Sequence, residues 1–557
     1  MNRYLSHRIR ASVPVLLVAS VLVALWTVPL ESAPSDKPNL YEQIEAFNGL
    51  QQLVERHYYN DTDPTDLFDG AIEGYLSKLD PHSTYISPQE LRGTQERLQG
   101  TFEGIGIYFS INNGYLRVMS PIEGSPAYDV GLLAGDRIVR IDGKSSIGIK
   151  EAEVFDRLKG PKGSTVSVSV QRKGEDELLE FEMVRDRIHV PSVPYYFLLE
   201  PESPDVGYVK LNRFSQRTSA ELAEAIRDLN AQGAQKFVLD LRGNGGGYLE
   251  QAVDVANQFI EKGRLVVYTM GRHVSSREDH VAARDPLVSP DTPLIILVDS
   301  YSASASEIVA GAVQDYDRGL IVGHTSFGKG LVQKQYPLQN GGAVLLTVAR
   351  YFTPSDRPIQ RPFSEDLESY LMKGHDDYDP NTDPDSLTSK PVFHTVILRR
   401  KVYGSGGISP DVTLPPDSAA AIPAGIRRSH FFEFATENAQ TIAGSYETLD
   451  EFRAGFQAGQ REVDDFREYL QRKEINVDHE EIQASAEWVG DELTRYIAQI
   501  RWGIKARGRI DVGLDPQVSR AVDLFDKASE LLATRDYHYN RRRLTNLPAG
   551  NAAEQVR

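Results

Sequence analysis

The chain has 557 residues, 61 Lys and Arg against 79 Asp and Glu, no cysteine, and a formal net charge of −18. Apolar residues at 40% and charged residues at 25% make a globular balance that excludes wholesale disorder, and the length suits about three or four domains. The acidic balance excludes broad nucleic-acid binding, and the missing thiols exclude cysteine nucleophiles, thiolate metal sites, disulfides and cysteine lipidation.

The N-terminus opens with Arg3, His7, Arg8 and Arg10, and residues 11–30 then carry no charge. Twenty helical residues at 1.5 Å rise reach about 30 Å, the thickness of a bilayer core. A buried core helix is the alternative, but the position favours a signal or anchor over residues 1–38. The basic flank stays cytoplasmic and the rest is exported. Ala33-Pro34-Ser35 is a fair small-x-small cleavage site, yet the apolar run is long for a cleaved leader, so a retained membrane anchor is expected.

Residues 39–98 read as helical. Tyr41, Ile44, Phe47, Leu50, Leu53 and Val54 recur at helical spacing, Asn60–Pro64 reads as a turn, and a second helix is expected at about 65–79. Residues 99–186 form a β-rich module: short apolar runs at 105–110, 116–119, 137–141, 165–171 and 178–184, Gly/Asp/Asn turns, and one helix at 149–158. Residues 205–350 alternate strand-like and helical runs, which predicts an α/β layer with much parallel pairing. Residues 363–395 are polar and Pro/Asp-rich and read as an inserted loop. From about 420 onward, long helical patterns with heptad-like apolar spacing return.

The chemistry concentrates in two stretches. Asp299 to Glu307 (DSYSASASE) follows the apolar strand 294–298 and opens an amphipathic helix. A serine at such a junction is exposed beside unpaired first-turn N–H groups that can stabilise an oxyanion. From this pattern alone a helix N-cap is the simpler reading. Phe327-Gly328-Lys329-Gly330-Leu331-Val332-Gln333 then places Lys329 and Gln333 four apart, on one side in helix or strand alike. A lysine acts as general base only when neutral. At pH 7 that costs about 4.6 kcal/mol from the reference value, within reach of burial among apolar neighbours. A surface lysine in a Gly turn is the alternative. Gly243–Gly247 (GNGGG) lacks the Lys-Ser/Thr of a P-loop, but its N–H groups can serve an acyl oxyanion. His324 reads as a loop residue, and neither a G-x-S-x-G elbow nor an H-E-x-x-H zinc motif is present.

An ordered series of motifs carries a resemblance. It runs Leu79-Asp80-Pro81-His82-Ser83, Gly104-Ile105-Gly106-Ile107, Gly124-Ser125-Pro126-Ala127, Leu133-Ala134-Gly135-Asp136 and Asp240-Leu241-Arg242-Gly243-Asn244. It continues through Ser302–Glu307, Thr325–Gly330, Tyr351–Ser355, Ile359-Gln360 and Gly407–Asp411. Over about residues 40–415 the chain resembles the C-terminal processing peptidases, or tail-specific proteases, which are serine peptidases with an embedded PDZ domain. The resemblance implies an α/β multidomain fold: a crotonase-like spiral α/β core with an inserted PDZ domain and helical N- and C-terminal regions. Together with the helical patterns read above, the expected boundaries are 39–98 helical, 99–186 PDZ, 187–415 peptidase core and 416–557 helical, the last lying outside the resemblance.

Carried onto these positions, the resemblance implies Ser304 as nucleophile, Lys329 as general base and Gln333 as the residue positioning the lysine. The oxyanion would be held by Ala305 and by a glycine of the Gly246–Gly247 pair, with Gly246 the expected one. Gly104, Ile105, Gly106 and Ile107 would form the loop that holds a peptide's terminal carboxylate. The implied activity is an exported endopeptidase that needs no metal or cofactor. Its partners would be proteins with free apolar C-termini, the membrane through residues 11–30, and a second copy through the C-terminal helices. Two rivals are a non-catalytic PDZ scaffold binding protein C-termini, and acyl-thioester chemistry on a crotonase-like core. The sequence departs from the family pattern at Gly245, usually proline, and at Asp356, usually glycine.

Overall fold

The computed structural model describes residues 39–363, 370, 390–415, 426–475 and 477–545. The apolar run 11–30 and most of the 363–395 insertion lie outside them. No helix among the described residues is long and apolar enough to cross a membrane.

The chain divides into two compact units, residues 1–72 and 73–557. In the first, helix Leu40–His57 starts on Asn39, whose side chain accepts the Tyr41 N–H. Its apolar residues Leu40, Tyr41, Ile44, Phe47, Leu50 and Leu53 are exposed. The helix expected at 65–79 spans Pro64–Leu76, with proline at its first turn where no N–H is needed.

In the second unit, the expected helical stretch is broken by a short strand, Thr84–Ile86, before helix Pro88–Gln99 begins on the Ser87/Glu90 capping box. Strands Thr101–Gly104 and Asp186–His189 then pair antiparallel and bracket the β-rich module like the two ends of a clasp. Inside it, strands Ile107–Asn112, Tyr115–Pro121, Arg137–Ile141, Lys144–Ser145, Thr165–Gln171 and Leu179–Val184 make one antiparallel sheet. Alternating side chains such as Val166, Val168 and Val170 close on Val154 of helix Glu151–Leu158.

The α/β layer is a six-stranded sheet in the order Tyr196–Leu199, Ser203–Lys210, Lys236–Asp240, Leu294–Val298, Leu320–Gly323 and Val412–Thr413. All pairs but the first are parallel. Helices Thr218–Gln232, Leu249–Ala256 and Ala305–Asp315 pack their buried faces on it. Leu265–Met270 and Ala343–Phe352 join a separate antiparallel sheet with Thr84–Ile86, Glu278–Val281 and Leu331–Pro337.

Helices Arg428–Ala443, Leu449–Gly455, Gln460–Arg472 and Ala486–Trp502 close on a core of their own, built on Phe431, Phe434, Phe452, Phe466, Tyr469 and Leu493. The apolar spacing read as heptads therefore faces helices of the same chain. Helices Pro516–Val522 and Phe525–Thr545 return to the α/β sheet, where Val518, Ala521 and Phe525 pack against Val206 and Leu297.

Candidate active site

Strand Leu294–Val298 is buried on both faces, as a central parallel strand of branched apolar residues should be. It ends at Asp299, whose Oδ1 accepts the N–H of Tyr301 and Ser302 at 3.0 and 2.9 Å. Ser302, Ser304 and Ser306 follow at alternate positions, and their surroundings separate them. Ser302 Oγ donates to the Leu241 carbonyl at 2.9 Å, and Ser306 Oγ to the Asn244 carbonyl at 2.8 Å. Both are buried anchors for the Gly243–Gly247 loop. Ser304 is half-buried, and its Oγ has no hydrogen-bond partner among the described residues.

Ser304 occupies the N-cap position of helix Ala305–Asp315 without capping it through its side chain. Its φ of 55° and ψ of −111° put a side-chain-bearing residue in a conformation favoured by glycine, the kind of strain that concentrates at functional sites. The Ser304 N–H donates to Glu307 Oε2 at 2.8 Å.

Glu307 organises the rest. It is fully buried, and its carboxylate accepts from Ser304 N and Lys329 N at 2.8 Å each, Gly328 N at 2.7 Å and Ser326 Oγ at 2.6 Å. Burial pushes this carboxyl above its ordinary value, against the four donors that pull it down. Tyr351, equally buried, donates its hydroxyl to the carbonyls of Lys329 and of Ser304, the latter at 3.1 Å. Ser304 and Lys329 are thus fixed to each other through their backbones by two side chains.

The Lys329 amine donates to Gln333 Oε1 at 2.8 Å, and the Gln333 amide nitrogen donates to the His82 carbonyl. That second bond fixes which end of the amide faces the lysine. A bulge between Val332 and Gln333 adjusts the strand there. Burial holds the Lys329 amine below its ordinary value, with Glu307 and Asp80 pulling it back up. Burial and the positive charge of Lys329 press the His82 imidazole down to about 4, against the opposing pull of Asp80. Its Nε2 lies 3.0 Å from the Tyr370 hydroxyl. The loop carrying His82 is pinned by Asp80, which accepts from His82 N and Ser83 N at 2.9 Å, Ser83 Oγ at 2.7 Å and Thr347 Oγ1 at 3.1 Å. No direct hydrogen bond joins Ser304 Oγ to Lys329 Nζ among the described residues.

Gly246 stands against the serine. A Cβ built on it would lie 2.8 Å from both Ser304 Cβ and the Ala303 oxygen, and 3.0 Å from Ala305 N. Its own N–H, however, donates to Asn244 Oδ1 at 2.9 Å. In the Gly243–Gly247 loop and at the start of helix Ala305–Asp315, the N–H groups of Gly245, Gly247 and Ala305 have no partner among the described residues. The expected oxyanion residue Gly246 thus has its own N–H engaged, while that of its neighbour Gly247 has no partner among the described residues. Asp356 has φ 65°, the left-handed turn that glycine usually fills, so the departure there keeps the backbone shape. Gly245 is not left-handed and has open space where a side chain would stand.

In the β-rich module, a groove of about 480 Å³ runs between strand Ile107–Asn112 and helix Glu151–Leu158. Ile105, Gly106, Ile107, Phe109, Val154 and Phe155 line it. Gly106, at φ 81°, lies so close to Ser125 that an added Cβ would be 2.3 Å from Ser125 Cβ. Gly104 is not part of the lining. It ends strand Thr101–Gly104, paired with Asp186.

The expected residues Ser304, Lys329, Gln333 and Ala305 are thus brought together. Glu307, Tyr351 and the His82 carbonyl complete the cluster without having been assigned a role. For Glu307 the Ser-x-x-Glu spacing of a capping box was the available signal.

Comparisons with known proteins identify the family. Residues 205–369 match peptidase family S41, 117–172 a PDZ domain, 27–89 the N-terminal domain of the activating protease CtpB, and 422–503 a family of unknown function. The carboxy-terminal-processing protease of Bartonella bacilliformis is 38% identical over 350 residues, 62% of this chain and 78% of that protein. The carboxy-terminal processing protease CtpA of Bacillus subtilis is 34% identical over 320 residues, 57% of this chain and 67% of that one. Among solved structures, the photosystem II D1 C-terminal processing protease aligns at 27% identity and a TM-score of 0.35, covering 67% of this chain and 87% of that one. The chain belongs to the carboxy-terminal processing proteases, serine-type peptidases of family S41 that carry a PDZ domain.

Proposed function

We propose that the protein cleaves peptide bonds through a Ser304–Lys329 dyad, on substrates whose free apolar C-terminus the PDZ groove captures. Neutral Lys329 takes the Ser304 Oγ proton as the oxygen attacks the scissile carbonyl carbon. The N–H groups of Ala305 and Gly247 receive the negative charge that develops on the carbonyl oxygen. The lysine, now an ammonium, passes its proton to the departing amine and leaves an acyl-enzyme. Water then attacks that ester with Lys329 as base a second time, releasing the new C-terminus and restoring the serine.

One observation carries this reading: the Gln333 amide is held between the His82 carbonyl and the Lys329 amine, while Glu307 fixes the backbones of Ser304 and Lys329. Gln333 can accept from the amine without adding the negative charge that would keep it protonated. The apolar lining around Gly106 supports capture of an apolar tail. The basic start and apolar run at residues 3–30 support export and anchoring, with the peptidase on the far side of the membrane.

The test is cleavage of an unstructured protein with an apolar tail, with and without chelator. Chelator-resistant cleavage by the wild type, lost in Ser304→Ala and in Lys329→Ala while both still bind the tail peptide, is the expected result. Near-wild-type turnover in either variant overturns the dyad, and a wild type that binds without cleaving leaves a scaffold. A reporter fused after residue 557, active only outside the cytoplasm, tests the export reading.

A further inference from the structure

The helices from Arg428 to Gly513 touch the PDZ domain and the peptidase core at once. On the PDZ side, Arg117 of strand Tyr115–Pro121 pairs with Glu433 at 3.5 Å, each side chain 5% exposed, and the Tyr469 hydroxyl donates to Glu433 at 3.0 Å. Gln499 donates to the Met119 carbonyl at 3.1 Å, and Lys173 to the Glu437 carbonyl. Gly135 leaves room for Thr436, whose Cγ2 would lie 2.5 Å from a Cβ at that position. None of these PDZ residues lines the peptide groove. On the core side, Gly508 closes on the Tyr195 ring, Arg453 donates to the Glu200 carbonyl at 2.9 Å, and the Arg509 guanidinium sits 5.5 Å from the Phe197 ring centre.

We propose that this helical region is a brace whose function is to hold the PDZ domain in one orientation on the peptidase core, with its peptide groove left open. The chain itself joins the two modules through the paired strands Thr101–Gly104 and Asp186–His189, beside which Lys159 of the PDZ domain pairs with Glu96 of helix Pro88–Gln99 at 2.5 Å. From the opposite side, the brace removes the freedom this connection leaves. A buried ion pair adds little net stability compared with apolar packing, but breaking it leaves a desolvated charge. Any other docking angle would strand Arg117 and Glu433, so the pair selects one pose. The exposed Lys505–Glu123 contact adds little to that choice.

The proposal rests on reading the PDZ domain as the capture module, but its test reads geometry and not turnover. Because the chain has no cysteine, Lys144→Cys in the PDZ domain and Glu224→Cys in the core, both exposed, give one spin-label pair in the full-length protein. The expected result is one narrow distance distribution, unmoved by a free-carboxylate peptide with an apolar tail. Adding Glu433→Ala should broaden it severalfold while the peptide's Kd stays within about twofold. A broad distribution in the parent, a peak displaced by the peptide, or a Glu433→Ala distribution as narrow as the parent's overturns the brace. Should Glu433→Ala lose its near-UV circular dichroism, the Lys173→Ala/Gln499→Ala double variant is held to the same criterion.

Discussion

Ser304 and Lys329 hang from one oxygen atom: Glu307 Oε2 accepts the backbone N–H of each at 2.8 Å. The serine loop leaves strand Leu294–Val298, and the lysine loop leaves its parallel neighbour Leu320–Gly323 to enter Leu331–Pro337 of the antiparallel sheet, yet neither can shift without lengthening a charge-assisted bond to a buried carboxylate. Precise placement of this kind is a large part of what a protein contributes to a reaction.

Glu307→Gln should therefore damage turnover more than binding. The amide puts an NH2 group where a carboxylate oxygen now accepts, so one pair of buried donors loses its acceptor at a cost of about 1–3 kcal/mol per group. A kcat reduced at least about tenfold, a lower Tm and an unchanged Kd for the tail peptide are expected. Peptide hydrolysis, thermal unfolding and fluorescence anisotropy measure the three. An unchanged kcat would remove Glu307 from the machinery.

The pH profile should report Lys329. The base works when neutral, so kcat/KM should rise with pH through an inflection below the ordinary lysine value of 10.5. Gln333→Glu places a carboxylate against the amine, favours the ammonium, and should move that inflection upward and lower activity at pH 7. The sign carries over to stability. A lysine depressed in the folded state binds its proton better when unfolded, so its contribution weakens as pH falls through the window below 10.5. An inflection in Gln333→Glu at or below the wild-type position contradicts this arrangement.

His82 should make the protein acid-sensitive. Its imidazole titrates at about 4 in the folded chain against an ordinary 6.5. The unfolded chain therefore binds the extra proton between those values, and stability drops as pH falls from 6.5 towards 4. Calorimetry should find a shallower decline of Tm over that range in His82→Gln. Parallel declines would mean that other groups set the acid limit.

Two glycine substitutions should separate capture from cleavage. A Cβ at Gly247 would meet the Phe214 oxygen at 2.0 Å and one at Gly106 would meet Ser125 Cβ at 2.3 Å. Gly247→Ala should lower kcat by about 100-fold or more by displacing an oxyanion donor, with tail-peptide binding intact. Gly106→Ala should weaken tail-peptide binding at least tenfold while hydrolysis of short peptides continues. Isothermal titration and initial-rate assays on the same samples distinguish them, and an exchanged pattern would reverse the two assignments.

Ser304, Lys329 and Gln333 are legible as candidates because the ordered motif series carries them in two contiguous stretches, whose local patterns alone also read as an N-cap serine and a surface lysine. The sequence could not carry the His82 carbonyl, a backbone group with no side-chain signature. Glu307 stands at the capping-box spacing from Ser304, but its reach to residues 326–329 depends on tertiary packing. The antiparallel sheet stayed hidden for a related reason. Leu265–Met270 and Ala343–Phe352 are apolar runs that read alike in either kind of sheet, and their partner Thr84–Ile86 is too short to show a pattern. The C-terminal helices showed apolar faces, which spacing alone assigns equally well to a second copy or to the core they in fact build.

The bond from Gln333 to the His82 carbonyl spans 251 residues. With Tyr351 as a further participant, the cluster draws on residue 82, which precedes the PDZ domain, and on residues 304–351, which follow it. During synthesis the PDZ module is finished long before Lys329 emerges, and contacts this distant in sequence form late. Proteolytic competence is therefore one of the last properties the growing chain acquires. A chain that stops short of residue 329 carries the PDZ groove but lacks the Lys329–Gln333–His82 chain of hydrogen bonds.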